Sequence, residues 1–137
     1  MITVAPARIL VVDDDPTARE WMHASLELAG FEVTLASGGV EAIAQLMVQA
    51  PHMVILDMDM PGMNGIETCG AIRARHGELL PVVMVTGRDD VDAIREAFAA
   101  GATDFISKPI NPALIGHRVH HLLRAAGVSV ALRAAQA

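Results

Sequence analysis

A chain of 137 residues is one domain with room for a sizeable core. Ten Lys and Arg against sixteen Asp and Glu give a net charge of −6, so the basic footprint needed for nonspecific binding to nucleic acid or an anionic membrane is missing. No uncharged apolar stretch reaches the roughly 18 residues of a membrane span, and residues 1–8 (MITVAPAR) carry no basic leader, so neither a transmembrane helix nor a signal peptide is expected.

The first apolar run, Arg8-Ile9-Leu10-Val11-Val12, reads as a buried strand and ends in Asp13-Asp14-Asp15. Asp15 as N-cap and Pro16 at the first helical position open a helix to Ala29, which Gly30 stops. Phe31 to Ala36 is a second strand. Its alternation of Glu32 and Thr34 with Val33 and Leu35 predicts a half-exposed strand near a sheet edge. Ser37-Gly38-Gly39 turns into a helix ending near Gln49-Ala50-Pro51. The third strand, Met53 to Asp57, ends on a carboxylate. The loop from Met58 to Gly65 carries the turn dipeptides Pro61-Gly62 and Asn64-Gly65, and a helix follows to about Arg75. A fourth strand, Pro81 to Val85, runs into Thr86-Gly87. Asp89-Asp90 leads into a helix from Val91 to Ala100, closed by Gly101. The fifth strand, Thr103 to Ser107, ends at Lys108-Pro109, and an amphipathic helix runs from Pro112 to about Ala126. Strands alternating with helices at this spacing predict a parallel sheet covered on both faces.

In such a sheet ligands bind beyond the carboxyl ends of the strands. One fold could therefore gather three carboxylates, a hydroxyl and an ammonium at one spot. Lys108 is the only lysine in the chain. Carboxylates about 4–6 Å apart raise one another's pKa unless a cation sits among them. Their hard oxygens suit Mg²⁺. An Asp carboxylate is also a nucleophile toward phosphorus, and phosphoryl transfer needs its oxygens neutralised by metal, Lys and hydroxyl or backbone donors. Asp57 is the candidate nucleophile, Asp13 and Asp14 the metal ligands, Lys108 a point charge and Thr86 a hydroxyl donor. Asp15 reads as an N-cap only.

The segments ILVVDDD, VILDMDMPGMNG, VVMVTG and GATDFISKP together resemble the receiver domain of bacterial two-component response regulators, over about residues 7 to 126. The resemblance implies a flavodoxin-like, doubly wound five-stranded parallel sheet of order 2-1-3-4-5 with five helices. It implies Asp57 as phosphoacceptor, with Asp14 binding Mg²⁺ directly, Asp13 through water, and the backbone carbonyl of Asp59 completing the protein ligands. Thr86 would hydrogen-bond the phosphoryl oxygen and Lys108 would pair with it, beside a cis Lys108-Pro109 bond. The donor would be a sensor histidine kinase or phosphotransfer protein. Phe105 stands where many members carry a switch Tyr, so Thr86 and Phe105 form the expected switch without a hydroxyl contact. Asp59 and Arg88 are expected to pair over the opening.

The implied protein is a cytoplasmic phosphoprotein and signalling switch, not an enzyme. It would remodel the face of the fourth helix, fifth strand and last helix, and a homodimer through that face is expected from Asp104 and Arg118. Asn111 to Ala125 is similar to receivers that precede cyclic-di-GMP enzymes. Residues 1–126 would be the receiver and 127–137 a tail or the start of a linker helix to an output domain. Rival readings are weaker. A haloacid-dehalogenase-like phosphatase would have Thr or Val where Pro61 stands, and its acidic pair late in the chain. A flavin carrier lacks its Ser/Thr-rich phosphate loop here. An unphosphorylated docking module is the remaining alternative. His117 and His121, spaced i, i+4, read as solvated surface; Met58, Met60 and Met63 as packing; Cys69 as a small helix residue in a reducing cytosol.

Overall fold

The computed structural model describes residues 5–88 and 90–127. Five strands, β1 Arg8–Val12, β2 Glu32–Ala36, β3 Met53–Asp57, β4 Val82–Thr86 and β5 Asp104–Ser107, alternate with five helices. These are α1 Pro16–Leu28, α2 Gly39–Val48, α3 Gly65–His76, α4 Val91–Ala99 and α5 Pro112–Ala125. The strands pair in parallel in the order β2-β1-β3-β4-β5, as expected. Among the described residues no helix is long and apolar enough to cross a membrane. The expected tail lies almost wholly outside the described residues, as does Asp89.

Side-chain alternation along each strand divides the core in two. Leu10, Val12, Val54, Leu56, Val82 and Met84 face α2, α3 and α4. Ile9, Val11, Met53, Ile55, Val83 and Val85 face α1 and α5. Both faces of β1, β3 and β4 are therefore covered, which is why these strands read as continuous apolar runs. β2 is an edge strand with Glu32 and Thr34 exposed, matching its alternation.

Helix ends follow the local signals. Asp15 caps α1 by accepting from the Thr17 N–H at 3.0 Å, with Pro16 at the first position. Gly30 and Gly101 take positive φ, 96° and 104°, after α1 and α4. Asn64-Gly65 departs from the turn expectation. Asn64 is the N-cap of α3 in a capping box with Glu67, and Gly65 is already helical. Arg73 on α3 is a hub that no local pattern announces. It donates to the carbonyls of Gly101, Gly77 and Leu80 at 2.8, 3.0 and 2.6 Å and so ties α3 to both ends of the α3–α4 region.

Gly65 is glycine because of a close approach. A Cβ there would sit 2.6 Å from Met58 Cα and closer still to the Asp57 carbonyl oxygen, both backbone atoms that cannot rotate away. Gly70, on the same helix, faces open space. Gly65→Ala is expected to destabilise the protein by about 1–3 kcal/mol through overpacking. Gly70→Ala is expected to stabilise it by about 0.5–1 kcal/mol through backbone entropy. Urea unfolding with an unchanged m-value measures both.

Candidate functional site at the strand ends

Parallel register places the acidic residues. Val12 pairs with Leu56, so the next residues, Asp13 and Asp57, leave β1 and β3 side by side. Carboxylate oxygens of Asp13, Asp14 and Asp57 lie within 4.8 Å of one another. Asp57 is 3% exposed, Asp13 is nearly as enclosed at 9%, and Asp14 stands in solvent. Asp15 stays outside the cluster as the cap of α1. The Asp59 carboxylate is outside it too, and that residue reaches the site through its backbone, whose N–H donates to Asp57 Oδ1 at 3.3 Å.

Lys108 lies at the end of β5, with β4 between it and Asp57. Two inter-strand spacings amount to roughly 10 Å, which the extended lysine stem and the Asp57 side chain span together with the hydrogen bond between them. Its Nζ donates to Asp57 Oδ1 at 3.2 Å, and the Lys108-Pro109 bond is cis. Thr86 closes β4 and is buried; its Oγ1 accepts the Arg88 N–H at 2.9 Å, leaving its own proton uncommitted. A cavity of about 540 Å³ opens beside the carboxylates between α1 and the β5–α5 loop, with Val11, Trp21, Pro109 and Ile110 in its wall.

The electrostatics of the site are unbalanced. Burial, and then the Asp13 charge, raise the Asp57 pKa from 3.8 to about 6 against the opposing pull of Lys108 and the Asp59 N–H. Burial presses the Lys108 ammonium down, yet Asp57, Asp13 and Asp59 more than offset it and its pKa stands above the ordinary lysine value. One ammonium does not neutralise three carboxylates.

The remaining expectations divide. Arg88 pairs with Asp90 at 3.8 Å rather than closing over Asp59. Asp90 is the N-cap of α4 and accepts the Ala93 N–H at 2.8 Å. Asp104 and Arg118 form their ion pair within the chain, at 3.4 Å. Phe105 is half-buried and meets Phe98 edge to face at 6.1 Å. Met58 and Met60 are core. Cys69 is buried, and burial pushes its thiol pKa up. His117 and His121 are exposed, and among the described residues no third metal-ligand group joins them. Two contributors escaped sequence reasoning: Gly65, whose glycine was attributed to a turn, and Arg19, whose Nη1 donates to the Asp13 carbonyl at 2.7 Å. A long basic side chain one turn into a helix that starts at a strand end is the signal that points to Arg19.

Because the folded pKa of Asp57 lies above the unfolded one, the unfolded chain releases this proton first as pH rises from 3.8 to about 6. Stability is therefore lost across that window and the penalty is complete above it. In chelator at pH 7.5, Asp57→Asn is expected to stabilise the protein by on the order of 2 kcal/mol, with the gain vanishing below about pH 4. Urea unfolding at the two pH values measures it.

The family model described as "Response regulator receiver domain" matches residues 9–120. Response regulator MprA of Mycobacterium sp. (strain KMS) is 40% identical over 119 residues, which cover 87% of this chain and 51% of the relative. DNA-binding response regulator MtrA of Mycolicibacterium smegmatis is 38% identical over 117 residues, covering 85% and 50%. The chain thus spans about half the length of the curated relatives it matches. Among solved structures, the chemotaxis protein CheY4 of Vibrio cholerae superposes with a TM-score of 0.82 at 32% identity, over 86% of this chain and 99% of that one. By the family match and these relatives, the chain belongs to the receiver domains of response regulators, the proteins of two-component signalling.

Proposed function

We propose that Asp57 accepts a phosphoryl group from a sensor histidine kinase or phosphotransfer protein in the cytoplasm. Mg²⁺ would be held by Asp13, Asp14, Asp57 and the backbone carbonyl of Asp59. The observation that carries this reading is a buried Asp57 with its pKa near 6 and two further carboxylates within 4.8 Å. Three hard oxygen donors with surplus negative charge fit a small divalent cation. Bound there, the cation would neutralise the charge on the phosphoryl oxygens.

Both hydrogen bonds to Asp57 fall on Oδ1, so Oδ2 is the oxygen available to attack phosphorus. A P–O bond forms to Asp57 as the bond between phosphorus and the donor breaks. Lys108 then turns its ammonium to the transferred group. Thr86 donates its uncommitted proton to a phosphoryl oxygen, and Phe105 shifts inward from its contact with Phe98. The face of α4, β5 and α5 changes its population of states because the added charge draws these donors in. The chain acts as a switch rather than a catalyst with turnover. Its output is a further domain or partner, a cyclic-di-GMP enzyme being one candidate, with no direct contact to nucleic acid. Homodimerisation through the same face would exchange the internal Asp104–Arg118 pair for one between subunits.

Intact mass after incubation with Mg²⁺ and acetyl phosphate tests the reading. A gain of one phosphoryl mass is expected for the wild type, absent in Asp57→Asn and absent without Mg²⁺. No gain under any condition would favour the docking module. Thr86→Ala is expected to accept the phosphoryl group yet leave amide shifts on α4, β5 and α5 unmoved. An unchanged sedimentation coefficient on phosphorylation would exclude the dimer.

A further inference from the structure

The Asp14 carboxylate is exposed and accepts no hydrogen bond among the described residues. Only the backbone that carries it can aim it. Three hydrogen bonds anchor that backbone. The Asp13 N–H donates to the Ala36 carbonyl at 3.2 Å, and Asp13 Oδ1 accepts the Asp15 N–H at 2.9 Å. The third is the shortest: Arg19 Nη1 to the Asp13 carbonyl oxygen at 2.7 Å. That oxygen belongs to the peptide unit joining Asp13 to Asp14. A peptide unit is a rigid plane, so fixing its carbonyl fixes the direction in which the Asp14 Cα departs.

We infer that Arg19 is a positioning residue for the metal, acting through the Asp13–Asp14 peptide. The inference rests on the metal reading above. Arg19 sits one turn inside α1, four residues beyond the Asp15 cap, and helical side chains lean toward the helix N-terminus. Its half-buried guanidinium can thus reach back over the acidic turn. A charge-assisted bond to a carbonyl is stronger than a neutral one. The same guanidinium lowers the pKa of Glu41, but there the Ser37 hydrogen bonds come first.

Charge and position predict opposite signs. As a charge, Arg19 repels an incoming cation, and its removal would tighten metal binding. As an anchor, its removal frees the Asp14 carboxylate and weakens binding. Mg²⁺ demands near-octahedral geometry, whereas Ca²⁺ tolerates irregular shells. A loosened site therefore loses Mg²⁺ more than Ca²⁺, a selectivity change that loss of global stability does not produce.

Calorimetric titration of each ion into the metal-free chain tests this, with fluorescence of the single Trp21, in the wall of the adjoining cavity, as a second readout. Arg19→Met keeps the apolar stem and removes donor and charge. It is expected to weaken Mg²⁺ by roughly tenfold and Ca²⁺ by less than about threefold. Arg19→Lys is expected to restore most of the loss. Arg19→Gln carries the same test should the Met variant fail to fold. Tighter or unchanged Mg²⁺ binding in the Met or Gln variant overturns the inference. So does equal weakening of both ions without rescue by Lys. A wild type that takes up neither ion overturns the metal reading itself, and the inference with it.

Discussion

Carboxylate oxygens of Asp13, Asp14 and Asp57 are held within 4.8 Å of one another despite their mutual repulsion, and the site depends on that closeness. The chain does not avoid this repulsion; it builds it. The β1–β3 register sets Asp13 beside Asp57, and the burial that makes both strands core also removes water from Asp57. Lys108 offsets part of the charge from two strands away. Burial first, and then the Asp13 charge, hold the Asp57 pKa up at about 6, and a single ammonium leaves the three carboxylates with net negative charge.

Reading this arrangement from sequence worked where polar residues interrupt continuous apolar runs. Parallel strands covered on both faces tolerate charge only at their ends, so Asp13, Asp57, Thr86 and Lys108 are conspicuous in the sequence itself. The sheet order came from the resemblance, since no strand's own pattern names its neighbours. What escaped was contact between segments remote in sequence or shaped by a cap. Arg73 reaches Gly101 across 28 positions. Asn64-Gly65 has the composition of a turn and the geometry of a helix start. Arg88 obeyed the nearer carboxylate, Asp90, over the one expected to draw it across the opening. The Asp59–Arg88 pairing rests on the resemblance, and the sequence of this loop alone does not decide between the two carboxylates.

The two layers of helices have unequal tasks. α1 and α5 pack on the sheet face that includes Ile55 and Val85, and the cavity beside the carboxylates opens on their side. α4 meets β5 on the other face, where Phe98 and Phe105 touch and where Asp104 is already satisfied by Arg118. The cavity beside the carboxylates and the Phe98–Phe105 contact thus lie on opposite faces of the sheet. Thr86 closes β4 and Lys108 follows directly on β5, so both stand at the carboxyl edge of the sheet between these faces.

The Lys108–Asp57 pair has one more consequence, set by composition. With every other basic side chain an arginine or histidine, Lys108 is the sole ε-amine on the molecule. Any acylating or carbamylating chemistry directed at lysine finds a single side-chain target, and that target is the counter-ion of Asp57. Acylation would erase its charge, leave the carboxylates with no ammonium beside them, and raise the Asp57 pKa further, since Lys108 is what draws it down. Modifying the lysine of this chain would therefore change the charge of its acidic site.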